Sequence, residues 1–230
     1  MYVRRRKAAR MSRPDLPNEL ANDLARLLMR YRVRSGDAAP VLELLAAAYS
    51  APGRHYHNLE HIGEMLGVAR RLTTVTDNAA PIQLAIWFHD AVYDPRAKDN
   101  EACSAELAVT SLGPIGVPRS DLEVVTCLIL ATEHLADDRP PADRSTAIVL
   151  DADLAILGAD AERYRRYAAD IRKEYAWVSE DEYRRGRANV LEHFLRRERI
   201  YWTDMMYEEC EEQARANLQV EQAALARVQP

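Results

Sequence analysis

The chain has 230 residues, 48% of them hydrophobic and 29% charged, with a formal net charge of −5. This is ordinary globular usage, with enough apolar material for one large domain. It lacks the basic stripe that phosphate-backbone binding needs and any apolar stretch of the roughly 20 residues that cross a bilayer, so neither general nucleic-acid binding nor a membrane partner is expected. Glycine is scarce, at 8 residues, and Ala, Leu, Arg and Glu dominate. All four are good helix formers, which favours an all-α fold. Cys103, Cys127 and Cys210 are odd in number and form no CxxC pair, which fits a reducing compartment rather than a disulfide framework or a structural zinc site.

In chain order, the run Arg4-Arg5-Arg6-Lys7 reads as a solvated, disordered start covering residues 1–15. No apolar core follows it, so it is not a signal peptide, and a cytoplasmic location is expected. Residues 16–226 read as a single helical domain. Leu20, Leu24, Leu27 and Leu28 fall at helical spacing within 16–32. Asp37 is placed to cap the next helix, which ends near Tyr49. Residues 50–53 form a loop, and Asn58 caps a helix that runs to about Leu72.

Residues 81–92 are apolar on nearly every side and begin with Pro81, which predicts a buried central helix. A polar loop from Asp94 to Asn100 follows. Further helices are expected at 100–112, 119–135, 146–157, 160–176, 180–199 and 204–226. A short strand over 147–150 is an open alternative, since brief apolar runs are ambiguous.

The chemistry gathers around histidine. Only six are present, and three lie in the segment from Arg54 to His61. His89, followed directly by Asp90, sits at the end of the most apolar helix. An imidazole and a carboxylate buried there cost several kcal/mol unless compensated, on the order of a lost charge partner. A divalent cation is the most direct compensation, because neutral His and ionised Asp are both ligands. Asp151 and Asp153 lie in a later apolar run and raise the same question. Asp153 is preferred as the ligand, with Asp151 left as a helix cap.

The ordered set His61, His89-Asp90, Asp153 resembles the signature of the HD-domain superfamily of metal-dependent phosphohydrolases. His61 opens a helix of the form His-Ile-x-x-Met-Leu-x-Val-Ala, the pair follows an apolar helix, and the last Asp lies in Ala-Asp-Leu. Tyr56-His57-Asn58-x-x-His61, Phe88-His89-Asp90-x-x-Tyr93-Asp94, Asp99-Asn100-Glu101-x-x-Ser104, Ile171-Arg172-x-Glu174-Tyr175 and Arg187 are similar to a bacterial subgroup of predicted HD phosphohydrolases. The resemblance implies an HD-type helical bundle with additional C-terminal helices. It further implies one divalent metal ion (Mn, Fe, Co, Ni, Zn or Mg) held by His61, His89, Asp90 and Asp153.

The expected activity is hydrolysis of a phosphomonoester, a nucleotide or related small molecule. Asp94 and Glu101 are the candidate catalytic acids, because a carboxyl near a bound phosphate can relay protons. Arg54, His57, Lys98 and His134 are candidate substrate contacts. His134 is equally read as a histidine at the C-terminal end of a helix, where its charge favours the dipole. His55 is read as a surface residue, and Tyr164 to Tyr183 as an amphipathic, salt-bridged surface. Two rival functions stay open: a non-catalytic metal-binding module, and a di-iron oxygenase, which needs more histidines between Asp90 and Asp153 than His134 alone. A homo-oligomer is compatible with the apolar and charged C-terminal helix.

Overall fold

The computed structural model describes residues 16–74, 77–134 and 140–227. The expectation for residues 1–15 lies outside them, as does the last residue of the helix expected over 119–135. The described residues form ten α-helices and no strand: α1 (Asn18–Arg30), α2 (Ser35–Tyr49), α3 (Leu59–Leu72), α4 (Ala79–Phe88), α5 (Asn100–Leu112), α6 (Arg119–Leu130), α7 (Arg144–Leu154), α8 (Ala161–Glu174), α9 (Glu180–Arg196) and α10 (Asp204–Arg227). A short 3-10 helix, Ala155–Gly158, extends α7. The all-α expectation therefore holds, and the alternative strand at 147–150 is helical.

Side-chain caps set several of the helix starts. Asn58 accepts the Glu60 N–H at 2.8 Å and begins α3, as its side chain predicts. Asp143 accepts the Thr146 N–H and begins α7. Ser179 and Glu182 form a reciprocal capping box at α9. Asp37 is not a cap; it lies in the first turn of α2, where a negative charge still favours the helix dipole.

Helix α4 is the centre of the molecule. Ile82, Leu84, Ala85, Ile86 and Phe88 have no exposed surface, and Trp87 has almost none. It packs against α1, α3, α5, α6 and α7. Burying each large apolar side chain contributes roughly 1.5–3 kcal/mol, so this helix anchors the others. It ends at Phe88, four residues earlier than its apolar run predicts. Helix α3 also packs on α7, and α10 packs on α9 and on the 3-10 helix.

The last of these contacts depends on Gly158. A Cβ there would lie 2.7 Å from Cys210 Cβ and 2.9 Å from both the Cys210 carbonyl and the Tyr201 hydroxyl. Gly158→Ala is expected to cost about 1–3 kcal/mol by overpacking. The melting temperature should fall by roughly 2–4 °C for each kcal/mol lost. An unchanged melting curve would mean that the 3-10 helix does not hold α10 so close.

Candidate metal centre

His61 is on the first turn of α3, His89 follows the last residue of α4, Asp90 comes next, and Asp153 is near the end of α7. The packing of α3 and α4 on each other and on α7 brings these three helix ends together. The end of α4 and the turn that follows it carry carbonyls with no partner inside the helix, and each of those described below finds one nearby. The Tyr49 hydroxyl donates to the Trp87 carbonyl at 2.9 Å. Arg54 donates to the carbonyls of Asp90 at 2.7 Å and Ala91 at 3.1 Å. His89 Nδ1 lies 2.9 Å from the Ile86 carbonyl, which can only accept. His89 Nδ1 is thus the protonated nitrogen, and in the neutral ring Nε2 presents its lone pair to the site.

That lone pair has company. His61 Nε2 lies 3.3 Å from His89 Nε2. Asp90 Oδ2 is 3.1 Å from His89 Nε2 and 4.0 Å from His61 Nε2. Asp153 Oδ1 is 3.2 Å from His61 Nε2 and 3.8 Å from His89 Nε2. Two bonds of about 2.1 Å to one ion can span no more than about 4.2 Å, and the separation between the imidazoles and that from each imidazole to each carboxylate fall within that reach. His61, His89 and Asp90 alone form a compact group able to hold a cation. The donor set of two imidazoles and carboxylate oxygen suits a divalent metal ion, and the negative end of the α4 dipole favours positive charge at the same point.

The electrostatics agree. Burial lowers the His89 pKa, but the Asp90 carboxylate and then Asp153 outweigh it and push it up to about 9. Burial raises the Asp90 carboxyl, yet the charges of His89 and His57 hold it well below the carboxylate range. Asp153 behaves alike: hydrogen bonds from His134 and His61 overcome its desolvation and keep it ionised. Positive charge is what this cluster lacks, and protons on the imidazoles supply it when no cation does.

Around the ligands stands a second group. His134 Nε2 lies 2.7 Å from Asp153 Oδ2, the oxygen that faces away from His61. His134 thus orients a candidate ligand. His57 Nδ1 lies 2.6 Å from Glu174 Oε2, and its ring stacks on Tyr93 with centroids 4.2 Å apart. Glu174 Oε2 also accepts the Tyr93 hydroxyl at 2.9 Å. Its other oxygen accepts the backbone N–H groups of His55 at 2.7 Å, Tyr56 at 2.7 Å and His57 at 3.1 Å. Burial raises the Glu174 carboxyl, but these bonds, led by His57, bring it down to about 2. Glu174 was expected on a solvated surface; it is buried. Its flanking basic residues, Arg172 and Lys173, mask it in the sequence, and only its pattern resemblance marked it.

Three of the candidate ligands, His89, Asp90 and Asp153, line a cleft of about 700 Å³, which His57, Lys98, Glu101 and His134 also line, and the buried His61 lies beside them. Two other predicted residues are not brought there. Asp94 is exposed, and its carboxylate accepts the Arg96 N–H at 2.9 Å in the loop. Arg54 is committed to the carbonyls of His57, Asp90 and Ala91, so it staples backbone and does not line the cleft. Asp151 is neither ligand nor cap of its own helix. It accepts the N–H groups of Trp202 and Thr203 and the Thr203 hydroxyl, just before α10. A second depression, of about 740 Å³, holds none of the candidate ligands, and its Arg144 is bound to Asp77 and the Leu72 carbonyl. No described helix is long and apolar enough to cross a membrane. No family model, curated protein or solved structure matches the chain.

Two outcomes are expected. His89→Ala should abolish metal retention, read by plasma mass spectrometry on purified protein, whereas Asp151→Asn should keep it; full occupancy in the His89 variant would remove the centre. Glu174→Ala should cost about 3–5 kcal/mol in denaturant unfolding, as the loss of one partner of a buried pair does. The pH dependence has a definite sign. A carboxyl lowered from 4.5 to about 2 stabilises the fold fully above pH 4.5 and loses that contribution as pH falls toward 2. The stability gap between the wild type and Glu174→Gln should therefore narrow across that window, and a constant gap would refute the clamp.

Proposed function

We propose that the protein is a metal-dependent phosphohydrolase acting on a phosphomonoester, as its resemblance to the HD-domain superfamily implies. The observation that carries the reading is the convergence of His61 Nε2, His89 Nε2, Asp90 Oδ2 and Asp153 Oδ1 at the floor of an open cleft. Structural metal sites are closed by protein ligands, whereas catalytic ones face a space that substrate can enter. His61, His89, Asp90 and Asp153 would hold the cation. When bound there, a divalent cation supplies polarisation of a phosphoryl oxygen and acidification of a water molecule.

The rest falls to the chain. In the reaction, the oxygen of water joins phosphorus, the bond from phosphorus to the ester oxygen breaks, and one water proton ends on the departing alcohol. Two groups in the cleft can carry that proton. Glu101 lies on the first turn of α5. His57 engages Glu174 through Nδ1, which leaves Nε2 to hold or pass a proton. The stacking on Tyr93 and the Glu174 bond fix this ring, and a fixed ring loses less entropy at the moment of transfer. His134, bonded to Asp153, keeps that carboxylate turned to the ligand cluster. Lys98, at the exposed lip, offers one positive charge to the phosphate.

Purified protein supplied with Mn, Co, Ni or Mg should hydrolyse phosphomonoesters, and His57→Ala should lower kcat by about 10²–10⁴-fold while metal stays bound. Uniform inactivity across metals and substrates would sink the reading.

A further inference from the structure

The cleft has two unlike halves. Its floor is the charged cluster; its far wall, from α8, α9 and the turn between them, carries Ile171, Tyr175, Trp177, Tyr183, Val190 and Phe194. Trp177 is 46% exposed, an unusual position for the largest apolar side chain. The Tyr175 and Trp177 rings lie at 28° to each other with centroids 6.3 Å apart, and Arg96 from the opposite lip lies 5.1 Å from the Trp177 centroid. Between floor and wall stands Tyr56, which touches His61 at 4.8 Å and Tyr167 at 4.6 Å between ring centroids. Its hydroxyl is buried and has no protein partner.

Charge in the cleft is equally uneven. Beyond the four candidate ligands and the histidines, the charged lining residues are Lys98 and Arg187 on one side of the ledger and Glu101, Glu133 and Glu182 on the other. Arg187 is already spent: it is buried, it grips Glu221 through Nε at 2.8 Å and Nη2 at 3.0 Å, and it reaches the Tyr167 hydroxyl at 3.3 Å. Among the described residues, Lys98 alone is a lining cation without such a buried carboxylate partner, and the guanidinium of the exposed Arg96 at the lip is laid on the Trp177 ring. A polyphosphate brings several negative charges, each costly to place against carboxylates without its own cationic partner.

We infer that the cleft takes a compound with a single phosphate and an uncharged, flat apolar group, the phosphate lying at the ligand cluster and the ring on the Tyr175–Trp177–Val190–Phe194 wall. This rests on the phosphohydrolase reading for the phosphate end and adds the nature of the leaving group. The Tyr56 hydroxyl, buried and without a protein partner, is a donor at the junction of the two halves.

Binding without turnover tests it. Mn-loaded protein is titrated calorimetrically with benzylphosphonate, methylphosphonate, orthophosphate and tripolyphosphate. Benzylphosphonate should bind at least roughly tenfold more tightly than methylphosphonate, since even one buried methylene gives that much. Tripolyphosphate should bind no more tightly than orthophosphate. The benzyl preference should collapse in Val190→Asp and shrink in Trp177→Ala, an exposed change that spares the core. Equal affinity for the two phosphonates, a preference untouched by both variants, or tightest binding of tripolyphosphate would each overturn the inference. Hydrolysis with no aromatic preference defeats this inference and leaves the phosphohydrolase reading standing. A benzyl preference that both variants abolish, in a protein without hydrolytic activity, upholds the apolar wall and defeats that reading.

Discussion

Two imidazoles and two carboxylates meet where the most apolar helix of the molecule ends, and the packing of α3, α4 and α7 turns on that meeting. A charge in such surroundings costs several kcal/mol on its own, roughly what a buried unpaired ion costs anywhere in a protein. Each carboxylate here is tolerable because both imidazoles stand within about 4 Å of it. The carbonyl end of α4 adds partial negative charge, which Tyr49, Arg54 and the His89 ring offset. The cluster therefore has a polarity of its own: anionic overall, drawn toward positive charge, and open on one side to a cleft.

A second device recurs around it. Three buried acids gather backbone N–H groups from segments that precede helices. Glu174 gathers residues 55–57 ahead of α3. Asp151 gathers residues 202–203, and Glu211 gathers residues 200–201, ahead of α10. Loop N–H groups buried without partners are expensive, and a carboxylate can satisfy two or three at once. This is why acidic residues in apolar runs do not all belong to the metal centre. Asp151 and Asp153 differ by two positions on one helix, so they project on different sides of α7. One faces α10 and holds a loop; the other faces α3 and joins the ligand cluster.

The same geometry separates the cleft's two walls. Helices α3, α4 and α7 present charge, whereas α8 and α9 present rings. His57 sits where they meet, tied to α8 by Glu174 and to the loop after α4 by Tyr93. The ligand cluster and the apolar wall are thus joined by a fixed histidine rather than by a mobile loop.

Much of this was legible in the residues. Helical periodicity, scarce glycine and the cap at Asn58 determine the helices and most of their order, because those signals are local. An apolar helix closed by His89-Asp90 determines that a charged pair stands at the edge of the core, since the helix that carries it must be buried. The choice among long-range partners was not local. Whether Asp151 or Asp153 reached His61 depended on how α7 is rotated about its axis against α3. Arg54 looked like a phosphate contact until three carbonyls claimed it. Asp94 looked like an acid until its loop turned it to solvent. Glu174, flanked by basic residues, looked like surface. Sequence alone determined which groups had to find partners; tertiary structure decided the pairings, because burial and direction arise only when the helices pack.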